Sequence, residues 1–277
     1  MELTKSSLEK FSLKREIFSF IGHFNVDPTL HAKSRLHRLK LELSRATEIK
    51  ARDYSYHHAS ALNIGSKTPE KCLRQLAYSV ANDKPDKTNW AELFLNKFET
   101  GHDAHAKYQG WLSYIYGEKF ESEIPFRVSL LNMGGTCDGV LTVELDGTDR
   151  EIGIEIKTAS TSVITKLKKP SNRYLDQGAT YVHSLGLDAI IFLYEDKNTQ
   201  QLYEFPYLAS ELLTRWQRIE ERITGVNDHL KRGTWPQRMR SSDCKECAFR
   251  AECRPYAQRP INYRSLQPRL RQVIGKG

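Results

Sequence analysis

The sequence has no apolar run long enough to cross a bilayer, which argues against a membrane-spanning helix. Its first residues carry Glu2, Lys5, Lys10 and Lys14 with no apolar core among them, so no secretory leader is expected and the chain reads as cytoplasmic. Internal repeats and low-complexity tracts are absent. So is G-x-x-x-x-G-K-[ST], the loop that cradles nucleotide phosphates in helicases, so a free-standing enzyme or a subunit is expected rather than a motor. Cysteine is scarce, with five in 277 residues. In a cytosolic chain such thiols bind metal or do redox chemistry more often than they form disulfides. Acid is absent after the last cysteine, where Arg254, Arg259, Arg264, Arg269, Arg271 and Lys276 carry most of the net charge of +8. Tyr256 and Tyr263 lie between them, a pattern that suits contact with nucleic acid and equally describes a solvated basic tail.

What is present supports one domain of ordinary core size with helical additions, since 39% of the residues are hydrophobic. The expected class is α+β, a central mixed sheet flanked by helices. Near the N-terminus, Leu36, Leu39, Leu43 and Ala46 make one helical stripe, with Arg35, Arg38, Lys40 and Arg45 facing elsewhere. Residues 188–196 and 201–207 read as strands joined by a Lys197-Asn198 turn. Leu208, Leu212, Ile219, Ile223 and Leu230 then predict a long amphipathic helix.

The chemistry concentrates in a predicted hairpin. Residues 135–145 read as a strand, Asp146-Gly147 as its turn, and residues 152–157 as the return. Ile152, Ile154 and Ile156 alternate onto one face, so Glu155 and Lys157 share the other. Asp138 comes near that face from the end of its own strand. Two carboxylates and an ammonium around one point suit phosphodiester hydrolysis. Carboxylates hold Mg²⁺ or Mn²⁺, which prefer hard oxygen ligands, and a lysine beside them can orient water or stabilise developing negative charge. An E-x-K triplet alone is a common solvent face of a hairpin; the apolar alternation and the preceding G-x-x-D-G set this one apart.

Two helices add candidates. Residues 90–117 predict one long helix, or two with a joint near Gly101. On it Phe94, Phe98, Gly101, His105, Tyr108, Leu112 and Ile115 share a face. His105 is thus either a core histidine or a metal ligand. Residues 171–186 predict a second helix, capped by Ser171 or Asn172 and stopped by Gly186, with Gln177 and Tyr181 on one stripe. A basic run, Lys166, Lys168, Lys169 and Arg173, follows the Glu155 strand where a phosphate backbone would pass.

The order His105, Asp138, Glu155-x-Lys157, Gln177-x-x-x-Tyr181 resembles the PD-(D/E)XK nuclease superfamily, RecB-like branch, over roughly residues 69–255. The resemblance implies a restriction-endonuclease-like α/β core. It implies that His105, Asp138, Glu155 and the backbone carbonyl of Ile156 hold the metal, that Lys157 is catalytic, and that Gln177 and Tyr181 position DNA. The proline usual before the motif aspartate is replaced here by Cys137.

Cys244, Cys247 and Cys253 lie close together in sequence after Trp235-Pro236, and Cys72, following Thr68-Pro69-Glu70, is the candidate fourth thiolate. Cys137 reads instead as a small buried residue. Four thiolates suit tetrahedral zinc or a [4Fe–4S] cluster, and spacing does not decide between them. The resemblance does: an upstream cysteine and a C-x₂-C-x₅-C after the core are similar to the cluster-bearing RecB-like exonucleases, which include CRISPR-associated adaptation nucleases and AddB-type subunits. It implies a structural cluster clamping the C-terminal segment, worth ~4–5 kcal/mol by loop closure if it behaves as a disulfide does. The expected organisation is a helical extension over residues 1–68, a nuclease core over 69–235, and a cysteine loop with basic tail over 236–277. The extension would cap the core, narrow a DNA channel or bind a protein partner.

The expected function is that of a metal-dependent DNA exonuclease acting on single strands or duplex ends. An endonuclease on the same core, and a non-catalytic cluster-stabilised DNA-binding module, are the alternatives. Resistance of covalently closed circular DNA separates the first two, and the intact Asp138, Glu155 and Lys157 set argues against the third.

Overall fold

The computed structural model describes residues 2–46, 56–61, 72–82 and 92–238, together with Cys244, Cys247, Phe249, Arg250 and Cys253. The basic tail beyond Cys253 and the predicted helix start at Thr68-Pro69-Glu70 lie outside the described residues. The elements are α1 (Lys5–Lys10), α2 (Leu13–Gly22), α3 (Pro28–Ala46), β1 (His57–His58), α4 (Leu73–Asn82), α5 (Glu92–Tyr116), β2 (Phe120–Val128), β3 (Met133–Leu145), β4 (Thr148–Ala159), α6 (Thr161–Ile164), α7 (Asn172–Leu185), β5 (Ala189–Asp196), β6 (Leu202–Leu208) and α8 (Ala209–Lys231). The class is α+β, a mixed sheet flanked by helices. Among the described residues no helix is long and apolar enough to cross a membrane.

The sheet runs β1-β3-β4-β5-β6, with β2 on the other edge of β3. β3 pairs antiparallel with β2 and β4, β4 parallel with β5, and β5 antiparallel with β6. The β3–β4 turn places Asp146 and Gly147 at φ 54° and 71°, the left-handed pair a tight hairpin requires. α7 is the crossover between parallel β4 and β5, ending on Gly186 at φ 73°.

All eight residues of β5 are buried, because helices cover both faces. Ile190, Phe192 and Tyr194 pack with α4, α7 and α8. Ala189, Ile191 and Leu193 pack with Ile152, Ile154 and Ile156 of β4 and with α1, α2 and α5. Leu8, Leu13 and Ile17 are fully buried there, so the first two helices complete one face of the core. Each such side chain contributes about 1.5–3 kcal/mol by burial. Gly178 lets α7 touch β5, since a Cβ there would stand 2.4 Å from Phe192.

α3 carries the stripe expected near the N-terminus. Leu36, Leu39 and Leu43 do form a stripe, but it faces outward, 53%, 56% and 70% exposed. The opposite face, with Ser34, His37 and Arg38, packs on α5, where Gly110 admits the Arg38 backbone and stem. Periodicity groups residues on a face; it does not say which face finds a partner.

At the short β1 strand, His57 is buried and bonds Asn227 of α8 at 3.2 Å, while Asn227 donates to the Leu131 carbonyl at 2.8 Å. Burial lowers the His57 pKa to about 4, so it is neutral in the fold.

Candidate active site

The site forms where two strands part. The β3–β4 ladder begins at Leu145 opposite Thr148 and ends at Gly139 opposite Ile154. β4 continues along β5 to Ala159 without β3. Asp138 and Glu155 are therefore the first residue on each strand beyond the last pair. The freed Ile156 N–H donates to Asp138 Oδ2 at 2.7 Å, a side chain taking the place of a ladder carbonyl. The Cys137 thiol donates to the carbonyls of Gly139 and Ile154 across this junction. It is fully buried, with its pKa pushed far up by burial and then by Glu155 and Asp138, which makes it an inert packing group.

α5 contributes from one side. His105 Nδ1 stands 3.4 Å from Asp138 Oδ1. Burial alone would lower the His105 pKa, but its bond to Asp138 and the charge of Asp138 raise it overall. One turn on, Gln109 is 1% exposed, and its Nε2 donates both to the Asp138 carbonyl and to Glu123 Oε1, each at 2.7 Å. Ligand atoms of His105, Glu123 and Asp138 all lie within 4.8 Å of one another.

β4 contributes from the other side. Glu155 is fully buried and ion-paired through Oε1 with Lys157. The other oxygen, Oε2, has no hydrogen-bond partner among the described residues. Burial and then the Asp138 charge push its pKa up to about 7, against the opposing pull of Lys157. For Lys157, burial acts to lower the pKa, but Glu155 and Asp138 prevail and raise it, so the ammonium is held charged. Its Nζ lies 4.9 Å from the ring centre of Tyr174, at the start of α7. Gln177 donates to the Tyr181 hydroxyl at 2.6 Å, and both are buried. Burial, then the charges of Glu155 and Asp138, raise the Tyr181 pKa well above its usual value.

The structure thus brings His105, Asp138, Glu155, Lys157, Gln177 and Tyr181 together. Lys166, Lys168, Lys169 and Arg173 are exposed along the segment leaving β4, and Arg173 donates to the Ser60 carbonyl at 3.3 Å. Two neighbours were missed from sequence, Glu123 and Gln109. Gln109 was legible as the residue one helical turn after His105. Glu123 carried only a weak signal, a carboxylate in a strand interrupted by Pro125.

A second constellation lies at the start of α4. Cys72, Cys244, Cys247 and Cys253 line one pocket, with Arg74, Arg238 and Arg250 among its walls. None of the four is in a disulfide. Tyr78 joins the segments, stacking on Phe249 at 5.5 Å and lying 4.3 Å from Trp235. Arg74 adds a bond to the Pro236 carbonyl at 2.8 Å.

No protein-family model matches the chain, and no match was found among curated proteins. Solved structures give low-identity matches. SSO0001 matches with a TM-score of 0.40 and 15% identity, over 83% of this chain and 98% of that one. The alkaline exonuclease LHK-Exo from Laribacter hongkongensis matches with a TM-score of 0.43 and 18% identity, over 65% of this chain and 93% of that one. LHK-Exo in complex with dAMP gives a TM-score of 0.46 at 18% identity, over 65% of this chain and 89% of that one.

Proposed function

We propose that this protein is a metal-dependent DNA exonuclease of PD-(D/E)XK type, acting on single strands or duplex ends. The observation that carries the reading is the parting of β3 and β4 at Asp138 and Glu155, with Lys157 ion-paired beside them and His105 against Asp138. Glu155 is fully buried with only its Oε1 on Lys157, and the unpartnered Oε2 fits a cation, because a buried polar atom left unsatisfied is costly. His105, Asp138, Glu155 and the Ile156 carbonyl would hold Mg²⁺ or Mn²⁺. When bound, such an ion polarises a phosphodiester and lowers the pKa of a water ligand.

The chain's own groups do the rest. Lys157, released from Glu155 as that carboxylate turns to a cation, orients the attacking water and steadies charge developing on phosphate oxygen. Gln177 and Tyr181 back the site from α7 and position the strand being cut. Lys166, Lys168, Lys169 and Arg173 offer exposed cations along its phosphates.

The four thiols fit a [4Fe–4S] cluster. Cys72, Cys244, Cys247 and Cys253 would each ligate one iron, and the arginines of that pocket favour thiolate. Its contribution is structural, tying the C-terminal segment to α4.

The test incubates purified protein with 5′- and 3′-labelled linear DNA and Mn²⁺ or Mg²⁺, beside a covalently closed circle. Stepwise loss of one end label, an intact circle and silence of Asp138→Asn and Glu155→Gln are expected. Cutting of the circle would move the reading to an endonuclease. Equal cleavage by both variants would overturn the site.

A further inference from the structure

Glu123 stands directly across β2–β3 from Asp138, between the pairs Ser122–Gly139 and Ile124–Cys137. That one step of the ladder is missing. Glu123 adopts φ 57°, a left-handed conformation that a residue with a Cβ rarely takes within a strand. The Asp138 carbonyl at this step is bonded instead by buried Gln109, whose same amide nitrogen holds Glu123 Oε1. One glutamine thus ties the Glu123 carboxylate to the backbone of Asp138.

We infer that Glu123 is a further ligand for the divalent cation, with Gln109 as its positioning residue; this rests on the metal site proposed above. Three observations carry it. The ligand atoms of His105, Glu123 and Asp138 already lie within 4.8 Å of one another, a set of one imidazole and two carboxylates suited to a hard cation. Independently, Glu155 is fully buried and meets Lys157 through Oε1 alone, so its Oε2, with no hydrogen-bond partner among the described residues, is left for a cation. Charge points the same way. Asp138, Glu155 and Glu123 against the single ammonium of Lys157 leave two negative charges, which one divalent cation neutralises. Without Glu123 only one is left, and a dication would sit uncompensated. Exposure of Glu123 keeps this oxygen at the open side of the site, where the cation would enter.

Binding of Mn²⁺ is measured by electron paramagnetic resonance on the full chain, without DNA, for the parent and for Glu123→Gln, Glu123→Gly, Gln109→Leu and Asp138→Asn. Melting in EDTA checks the fold of each. Glu123→Gln and Glu123→Gly are expected to weaken Mn²⁺ at least about tenfold, and Gln109→Leu in the same direction. Glu123→Gly should melt no lower than the parent in EDTA, because glycine accepts φ 57° freely. That pairing of lost affinity with undiminished stability is one a purely structural residue would not show. If Glu123→Gln and Glu123→Gly bind Mn²⁺ with less than a tenfold change while Asp138→Asn loses it, Glu123 is only a rim carboxylate and the proposed metal site survives. If Asp138→Asn binds Mn²⁺ as the parent does, or the parent binds none, the metal site itself falls.

Discussion

The parted strands and the cysteine pocket are assembled in opposite ways. Asp138, Glu155 and Lys157 come from one hairpin whose ladder is complete up to the point where they begin. Helices packed on both sheet faces hold the strands that carry them. The cysteine pocket instead joins the start of α4 to the far C-terminal segment, through thiols and a stack of Tyr78, Trp235 and Phe249. Among the described residues no sheet joins the two segments. The first site stores its specificity in a framework that folds for other reasons. The second would owe much of its framework to the cluster proposed for its thiols.

The largest expected effect sharpens this contrast. Asp138→Asn should lower DNA cleavage at least about 10³-fold, followed with end-labelled DNA. Its melting temperature in EDTA should fall far less than that of a cysteine variant, because asparagine keeps an oxygen for the Ile156 N–H and removes the charge that raises Glu155. A drop comparable to that of a cysteine variant would erase the distinction between the two sites.

Next comes Cys72→Ala. If a cluster closes the loop between residues 72 and 244, its loss removes about 4–5 kcal/mol of stability by loop-closure entropy. Anaerobically purified parent should be brown with about four irons per chain. The variant should lose both colour and solubility, while any folded fraction keeps its Mn²⁺ affinity. A colourless parent with one tightly held zinc would leave the thiolates and remove the cluster.

A smaller effect tests the seam between β1 and α8. His57 is neutral in the fold, with a pKa of about 4, below the ordinary imidazole value of 6.5. Below pH 6.5 the unfolded chain binds the proton first. The stability His57 contributes is thus full above pH 6.5 and is lost as pH falls through about 4, a change of roughly 3 kcal/mol. Urea unfolding of the parent and His57→Gln across this window measures it. Parallel pH profiles for the two proteins would show that other groups set the acid limit.

The smallest effect belongs to Gly178→Ala. A Cβ 2.4 Å from the Phe192 ring must push α7 off β5, costing about 1–3 kcal/mol. Because α7 carries Gln177 and Tyr181, cleavage should slow while Mn²⁺ binding holds. Unaltered stability would mean that the ring yields and the helix does not move.

Much of this was legible because local chemistry and tertiary fold agree. Asp146-Gly147 demanded a left-handed turn, and the alternation of Ile152, Ile154 and Ile156 demanded a two-faced strand. Ser171 and Gly186 occupy the two cap positions of α7, although the Ser171 side chain makes no capping bond. Other features were illegible for physical reasons. β2 was missed because Pro125 interrupts it and the strand carries polar residues on its open face. Nothing in residues 5–22 distinguishes α1 and α2 as core helices from an appended pair, since only the sheet they cover makes that choice. The missing ladder step at Glu123 is a relation between two strands, and no window along one of them contains it.

The amide of Ile156 has a consequence of its own. Its hydrogen is held by a carboxylate and not by a neighbouring strand's carbonyl. Such a proton resonates according to the charge and tilt of that carboxylate. In a ¹⁵N-labelled sample its peak would follow whatever next engages Asp138, be it magnesium, which is diamagnetic, or a proton. The fold thereby carries a built-in spectroscopic gauge of its own site, readable without substrate, turnover or any attached probe.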